Sequence, residues 1–188
     1  MIIKNVCITG AAGNIAYSLI FRILSNLPFN NVDKINLKLL DITPAQKALT
    51  GLQFEIDDCA FPTLNNITIT DNAEKAFEDT DYILMVGAKP RSKGMERSDL
   101  ILDNANIFKS QAELINNSCN QSTKIIVVGN PANTNALILN HNTPSIPNSN
   151  ITSLMKLDHN RAKSILSSKL GEKVEQIKNM SIWGNHST

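Results

Sequence analysis

Apolar positions along the chain alternate between two periods. Ile3, Val6 and Ile8 form a β-branched run, and after a glycine-containing turn Ile15, Leu19, Phe21, Ile23 and Leu24 follow at helical spacing on more than one face, until Asn26 and Pro28 break the pattern. Residues 27–33 read as an inserted surface loop, and residues 35–41 as an alternating strand that ends on an acid, Asp41. Thr43 and Pro44 open a helix in which Ala45, Ala48, Leu49, Leu52 and Ile56 form a stripe suited to a core or a subunit interface. Residues 67–70 and 81–86 predict short strands on either side of a helix over residues 73–77. A long helix is expected from Asp99, with Leu100, Ile101, Ile107, Phe108, Leu114 and Ile115 as its buried stripe. Residues 123–128 are continuously apolar, as in a strand covered on both faces. Residues 141–150, with two prolines, read as a loop, residues 151–156 as a sixth strand, and residues 177–183 as a last structured piece. Strands alternating with helices predict an α/β doubly wound parallel sheet of six strands with right-handed crossovers, whose ligand lies at the carboxyl ends of the strands.

Composition narrows the picture by exclusion. A chain of 188 residues suffices for one compact domain and part of a second, burying roughly 70% of its unfolded surface. With 42% hydrophobic and 19% charged residues and a net charge of +1, it reads as an ordinary soluble protein. Its cations are scattered, and no apolar run reaches the roughly 18 residues of a spanning helix, so neither nucleic acid nor membrane is expected as a partner. Cys7, Cys59 and Cys119 are far apart and lack metal-ligand spacing, which predicts buried, reduced thiols, no metal and a cytoplasmic location. The first strand begins so near Met1 that no leader is expected before it.

Candidate chemistry gathers at the predicted strand ends. In Gly10-Ala11-Ala12-Gly13-Asn14-Ile15-Ala16 the glycines permit a tight turn and close backbone approach, while the helix that follows can aim its free N–H groups at a pyrophosphate. Ala16 stands where the usual spacing has a third glycine. This is the start of a Rossmann-type dinucleotide site in outline. Asp41, at the tip of the second strand, can accept hydrogen bonds from ribose hydroxyls and repel a 2′-phosphate, which argues for NAD over NADP; alone, an Asp there is equally an ordinary turn residue. The loop over residues 87–98 carries Arg91 and Arg97, either as a solvated basic stretch or as an anion binder beside the crevice. Asn130 is delivered to the same edge, and Asp158 and Arg161 share one face of a helix.

Taken together, Gly-Ala-Ala-Gly-Asn-Ile-Ala-Tyr-Ser-Leu, Pro-Arg-x-x-Gly-Met-Glu-Arg, Val-Val-Gly-Asn-Pro-Ala-Asn-Thr-Asn, Leu-Asp-His-Asn-Arg-Ala-Lys and Ile-Trp-Gly-Asn-His-Ser resemble NAD-dependent malate dehydrogenases of the cytosolic type, in order and over the whole chain. The resemblance implies reversible oxidation of (S)-malate to oxaloacetate, with His186 as the base and Asp158 as its carboxylate partner. It also implies Arg161 as the clamp on the C1 carboxylate, Arg91 as the partner of the second carboxylate, and Arg97 as the group that polarises the reacting carbonyl. Lactate dehydrogenases share the architecture but carry an uncharged residue at the place of Arg91. For NAD, the resemblance implies Gly10, Ala11, Ala12, Gly13, Asn14, Ile15, Ala16, Asp41, Asn104, Gln111 and Asn130, with Asn130 also reaching substrate. Asn14 replaces a commoner Gln, and His141 and His159 are read as non-catalytic.

A homodimer is implied as well, with residues 1–156 as the cofactor domain and residues 157–188 as the start of a catalytic domain. Family chains run about one domain longer, so an NAD-binding or subunit-interaction module without turnover is the second reading. A short-chain dehydrogenase is disfavoured, because neither Tyr17 nor Tyr82 has a lysine four residues on.

Overall fold

The computed structural model describes residues 1–25, 31–90, 94 and 96–184, apart from the side chain of Arg97. It divides into two compact units, Met1–Ser153 and Leu154–Thr188.

The first unit is a parallel sheet of β1 (Ile3–Thr9), β2 (Lys34–Leu40), β3 (Leu64–Thr70), β4 (Tyr82–Met85), β5 (Lys124–Val127) and β6 (Ile151–Ser153), in the order β3-β2-β1-β4-β5-β6. This is the doubly wound order, which reverses between β1 and β4 and opens a crevice there. The helices of this unit are α1 (Asn14–Leu24), α2 (Gln46–Asp58), α3 (Ala73–Phe77), α4 (Arg97–Ser118) and α5 (Ala132–Asn142). Period-two alternation divides the core between the faces of the sheet. Val6, Ile8, Ile35, Leu37 and Leu39 pack with Ile20, Ile23, Leu49 and Ile56 of α1 and α2. Cys7, Ile83, Met85, Ile125 and Val127 pack with Phe77, Phe108, Ala112, Ile115 and Leu139 of α3, α4 and α5.

Several expectations need correction. The run that includes β5 was expected to be covered on both faces, yet within the strand only Ile125 and Val127 are buried; Ile126 is half-buried and Lys124 exposed. Both α4 and α5 lie on one face, and on the other Tyr82, Leu84 and Ile126 border an apolar cavity of about 460 Å³ beside Leu19 and Ile23. Helix α4 starts at Arg97, so that residue heads the helix instead of lying in the loop. Its buried stripe is Asn104, Phe108, Ala112 and Ile115, whereas Leu100, Ile101, Ile107 and Leu114 are only partly covered. Helix α5 occupies a stretch with no expected helix, because its four asparagines have weak helix propensity. Of the thiols, Cys7 is buried, Cys119 half-buried and Cys59 exposed. Burial raises the Cys7 pKa well above the ordinary thiol range and pushes Cys119 up to about 11.

The second unit contains α6 (Lys156–Leu170), closed by Gly171 at φ 69°, and a single turn of 3₁₀ helix at Val174–Gln176. The expected structured piece at 177–183 is neither helix nor strand. Ser167, the buried residue of α6, donates its hydroxyl to the Glu172 carbonyl at 2.5 Å, and His159 Nε2 lies 3.1 Å from the Met180 carbonyl oxygen. Among the described residues no helix is long and apolar enough to cross a membrane, and no group of three or more His, Cys, Asp or Glu side chains could hold a metal.

Candidate functional site

The sharpest constraint lies where β1 and β4 end. Gly10 has φ 62°, and a Cβ on it would stand 2.5 Å from the Gly87 Cα. A Cβ on Gly87 would stand 2.9 Å from the Gly10 nitrogen. The Gly87 N–H donates to the Thr9 carbonyl at 3.0 Å and to the Thr9 hydroxyl oxygen at 3.1 Å, so the two turns are joined backbone to backbone. Neither position has room for a side chain.

The chain then turns through Ala11 and Ala12 to Gly13, whose N–H donates to the Gly10 carbonyl at 3.0 Å. Gly13 is the N-cap of α1, and the Tyr17 N–H is bound by its carbonyl at 2.9 Å. The N–H groups of Asn14, Ile15 and Ala16 are thus the helix's free donors, with no side-chain cap and no acid in the first turn. A positive helix end of this kind suits an anion. Ala16 is fully buried in the α1-side core, so its methyl group fits where a third glycine was expected.

Asp41 follows β2 directly and ties that strand to the glycine turn. Its Oδ2 accepts the Ala12 N–H at 2.9 Å and its Oδ1 the Ile42 N–H at 2.8 Å. Its own N–H donates to the Thr70 carbonyl at 3.2 Å, and the Gln46 side chain donates to its carbonyl at 2.9 Å. Each carboxylate oxygen keeps further lone-pair capacity for a hydroxyl donor.

Gly10 and Asp41, with Thr9, Ile42, Ala88, Lys89, Pro90, Ile107 and Gln111, line a cavity of about 450 Å³ at this crevice. Gln111 Oε1 is buried with no hydrogen-bond partner among the described residues. Leaving such an acceptor unmatched costs roughly 1–3 kcal/mol, which a ligand donor can offset. The cradle at Gly10 and Gly87, the bare helix end, the carboxylate that follows β2 and this unmatched acceptor together fit a dinucleotide.

Of the expected cofactor residues, Gly10, Asp41 and Gln111 line this cavity, whereas residues 11–16 of the glycine turn and the start of α1, with Asn104 and Asn130, stand outside its lining. Asn104 is fully buried and its amide is already engaged: Oδ1 accepts the Lys89 N–H at 2.7 Å, and Nδ2 donates to the carbonyls of Lys89 at 3.2 Å and Leu100 at 3.0 Å. It fixes the loop after β4 against α4, and a 2.7 Å ion pair between Lys89 and Asp103 adds a second tie. Asn130 is exposed and precedes a cis peptide to Pro131. Sequence reasoning missed Asn135, which is buried and donates its side-chain amide to the Gly129 carbonyl at 2.9 Å. Its backbone N–H donates to the Pro131 carbonyl at 2.9 Å, bracing the turn that presents Asn130. A polar residue one helical turn into α5 was the signal available.

In the second unit, Asp158 and Arg161 stand one turn apart on α6, half-buried and exposed respectively. Arg91 and His186 lie outside the described residues, as does the side chain of Arg97.

Comparison with known proteins agrees with the geometry. Residues 4–152 match the lactate/malate dehydrogenase NAD binding domain, and residues 155–188 match the lactate/malate dehydrogenase alpha/beta C-terminal domain. Among solved structures, malate dehydrogenase from Naegleria fowleri is 43% identical over 100% of this chain and 57% of its own, with a TM-score of 0.94. Apo lactate dehydrogenase of Trichomonas vaginalis, in a leucine-to-arginine variant, is 40% identical over 100% of this chain and 56% of its own, with a TM-score of 0.94. The lactate dehydrogenase of that organism in complex with NADH and oxamate is 40% identical over 97% of this chain and 55% of its own, with a TM-score of 0.90. The chain thus spans a little over half the length of these relatives.

Proposed function

Because the chain belongs to the lactate/malate dehydrogenase family of NAD-dependent oxidoreductases, we propose that it carries the cofactor site and the first catalytic residues of an enzyme interconverting (S)-malate and oxaloacetate. Gly10, Ala11, Ala12, Gly13, Asn14, Ile15 and Ala16 hold the pyrophosphate, Asp41 the adenosine ribose, and Gln111 donates or accepts within the same cavity. Asn104 acts through the loop it anchors. Bound NAD supplies the nicotinamide that takes or returns hydride at the substrate's C2. His186 takes the hydroxyl proton, while Asp158 accepts the other imidazole N–H and stabilises the imidazolium. Arg161 clamps the C1 carboxylate through its planar fork, Arg97 polarises the carbonyl, and Asn130 orients the reacting oxygen. A cytoplasmic homodimer is part of the same reading, with the outer face of α2, where Phe54 lies exposed, as the partner surface.

One residue carries the choice of malate over lactate: Arg91, a cation suited to a second substrate carboxylate. The test is kcat/KM for NADH-dependent reduction of oxaloacetate and of pyruvate. Oxaloacetate should be preferred, and Arg91→Gln should lower its kcat/KM by on the order of a hundredfold. Equal turnover of pyruvate by the unaltered protein would refute the malate reading. NADH binding without turnover of either acid would identify a binding module instead.

A further inference from the structure

Two carboxylates, not one, line the cavity where β2 and β3 end. Strands β2 and β3 are parallel with Leu40 opposite Thr70, so Asp41 and Asp71 are the next residues of neighbouring strands. Such strands run about 4.8 Å apart. The Asp41 N–H donates to the Thr70 carbonyl at 3.2 Å, which holds the two strand ends in register. Both acids line the same cavity, and Asp71 is fixed there by the Thr43 hydroxyl, which donates to its Oδ2 at 2.7 Å. Neither forms an ion pair among the described residues. Thr43 lies two residues beyond Asp41, so one turn carries the ribose-level acid and positions its neighbour.

We propose that Asp71 is a second determinant of cofactor choice, so that a 2′-phosphate is rejected by the in-register pair Asp41 and Asp71 and not by Asp41 alone. The inference rests on the NAD reading of the site. A 2′-phosphate carries close to two negative charges, and each nearby carboxylate opposes it through a partly screened medium. Asp41 also accepts from the ribose hydroxyls, whereas Asp71 adds repulsion from the adjoining strand. Removing Asp41 therefore leaves the Asp71 part of the barrier in place.

The experiment is fluorescence titration of the protein with NADH and with NADPH, comparing the unaltered chain with Asp71→Asn, Asp41→Asn and the double variant. Asp71→Asn should raise the NADPH-to-NADH affinity ratio roughly five- to tenfold at low salt, and should do so again in the Asp41→Asn background. The gain should shrink in 0.5 M salt, and Asp71→Glu should restore discrimination. A purely structural role would weaken both nucleotides together and leave the ratio unmoved, which overturns the proposal. Should Asp71→Asn fail to fold, the Asp41→Asn protein decides: a salt-sensitive ratio supports the remaining carboxylate, and a salt-insensitive one refutes it. Absence of NADH binding by the unaltered, folded protein would refute the NAD reading and this inference with it. NADH binding with an unmoved ratio would refute this inference alone.

Discussion

Residues 1–153 and residues 154–188 contribute to the candidate chemistry by different physical means. In the first unit the site is largely backbone: the Gly10–Gly87 contact, the free N–H groups of α1 and a carboxylate held by two backbone donors are all set by the parallel sheet beneath them. In the second, the candidate groups are side chains on α6, a helix on which Leu157, Ile165 and Leu170 are exposed and Ser167 is buried. A site made of backbone is specified by the same interactions that fold the sheet. A site made of side chains on a lightly buried helix depends on whatever orders those side chains. Cofactor affinity and turnover should therefore respond separately to substitution.

The largest expected effect sharpens that separation. Asp158→Asn should lower oxaloacetate reduction by on the order of 10³–10⁴-fold, because an amide cannot stabilise the imidazolium, while NADH affinity measured by titration moves less than twofold. A parallel loss of NADH affinity would break the comparison. Next is Gly10→Ala, which puts a methyl group into the Gly87 backbone at a left-handed φ. It should destabilise the protein by about 2–4 kcal/mol, lower Tm by several degrees and abolish measurable NADH binding. Asn104→Ala should cost about 2–3 kcal/mol in chemical denaturation, since it leaves the Lys89 backbone groups unmatched, and should weaken NADH indirectly by loosening the cavity wall.

Thiol labelling gives the smallest effect and leaves the fold intact. Cys59 should react first. Burial pushes the Cys119 pKa up to about 11, so at pH 8 on the order of one thiol in a thousand is ionised. Its labelling rate should rise about tenfold per pH unit toward that value, provided the protein stays folded. Rapid labelling of Cys119 at pH 8 would show that the α3–α4 side of the sheet opens readily.

What was legible in the sequence follows the same division. The β1 run, the glycine turn, α1 and Asp41 could be read because each depends on local chemistry: β-branched residues, a positive φ, an acid at a strand tip. Asn104 was expected from the sequence to touch the cofactor, but its amide is spent on the loop after β4, and a buried amide in an apolar stripe looks the same in sequence whether it faces a ligand or a loop. Helix α5 was hidden because Asn133, Asn135 and Asn140 disfavour a helix locally, and packing of Leu139 and Ala132 overrides them. The one-sided burial of β5 was equally hidden, since Ile125 and Ile126 are identical residues whose exposure depends on which face the crossover helices take. Cys59 was misjudged for a related reason: a lone cysteine near the end of an amphipathic helix carries no sign of which face it occupies.

The most direct test of the central claim, that residues 1–153 present a preformed NAD site, is titration of the folded protein with NADH followed by nucleotide fluorescence. Saturable binding at one site per chain is the expected result. A folded protein that shows no saturable NADH signal would contradict it.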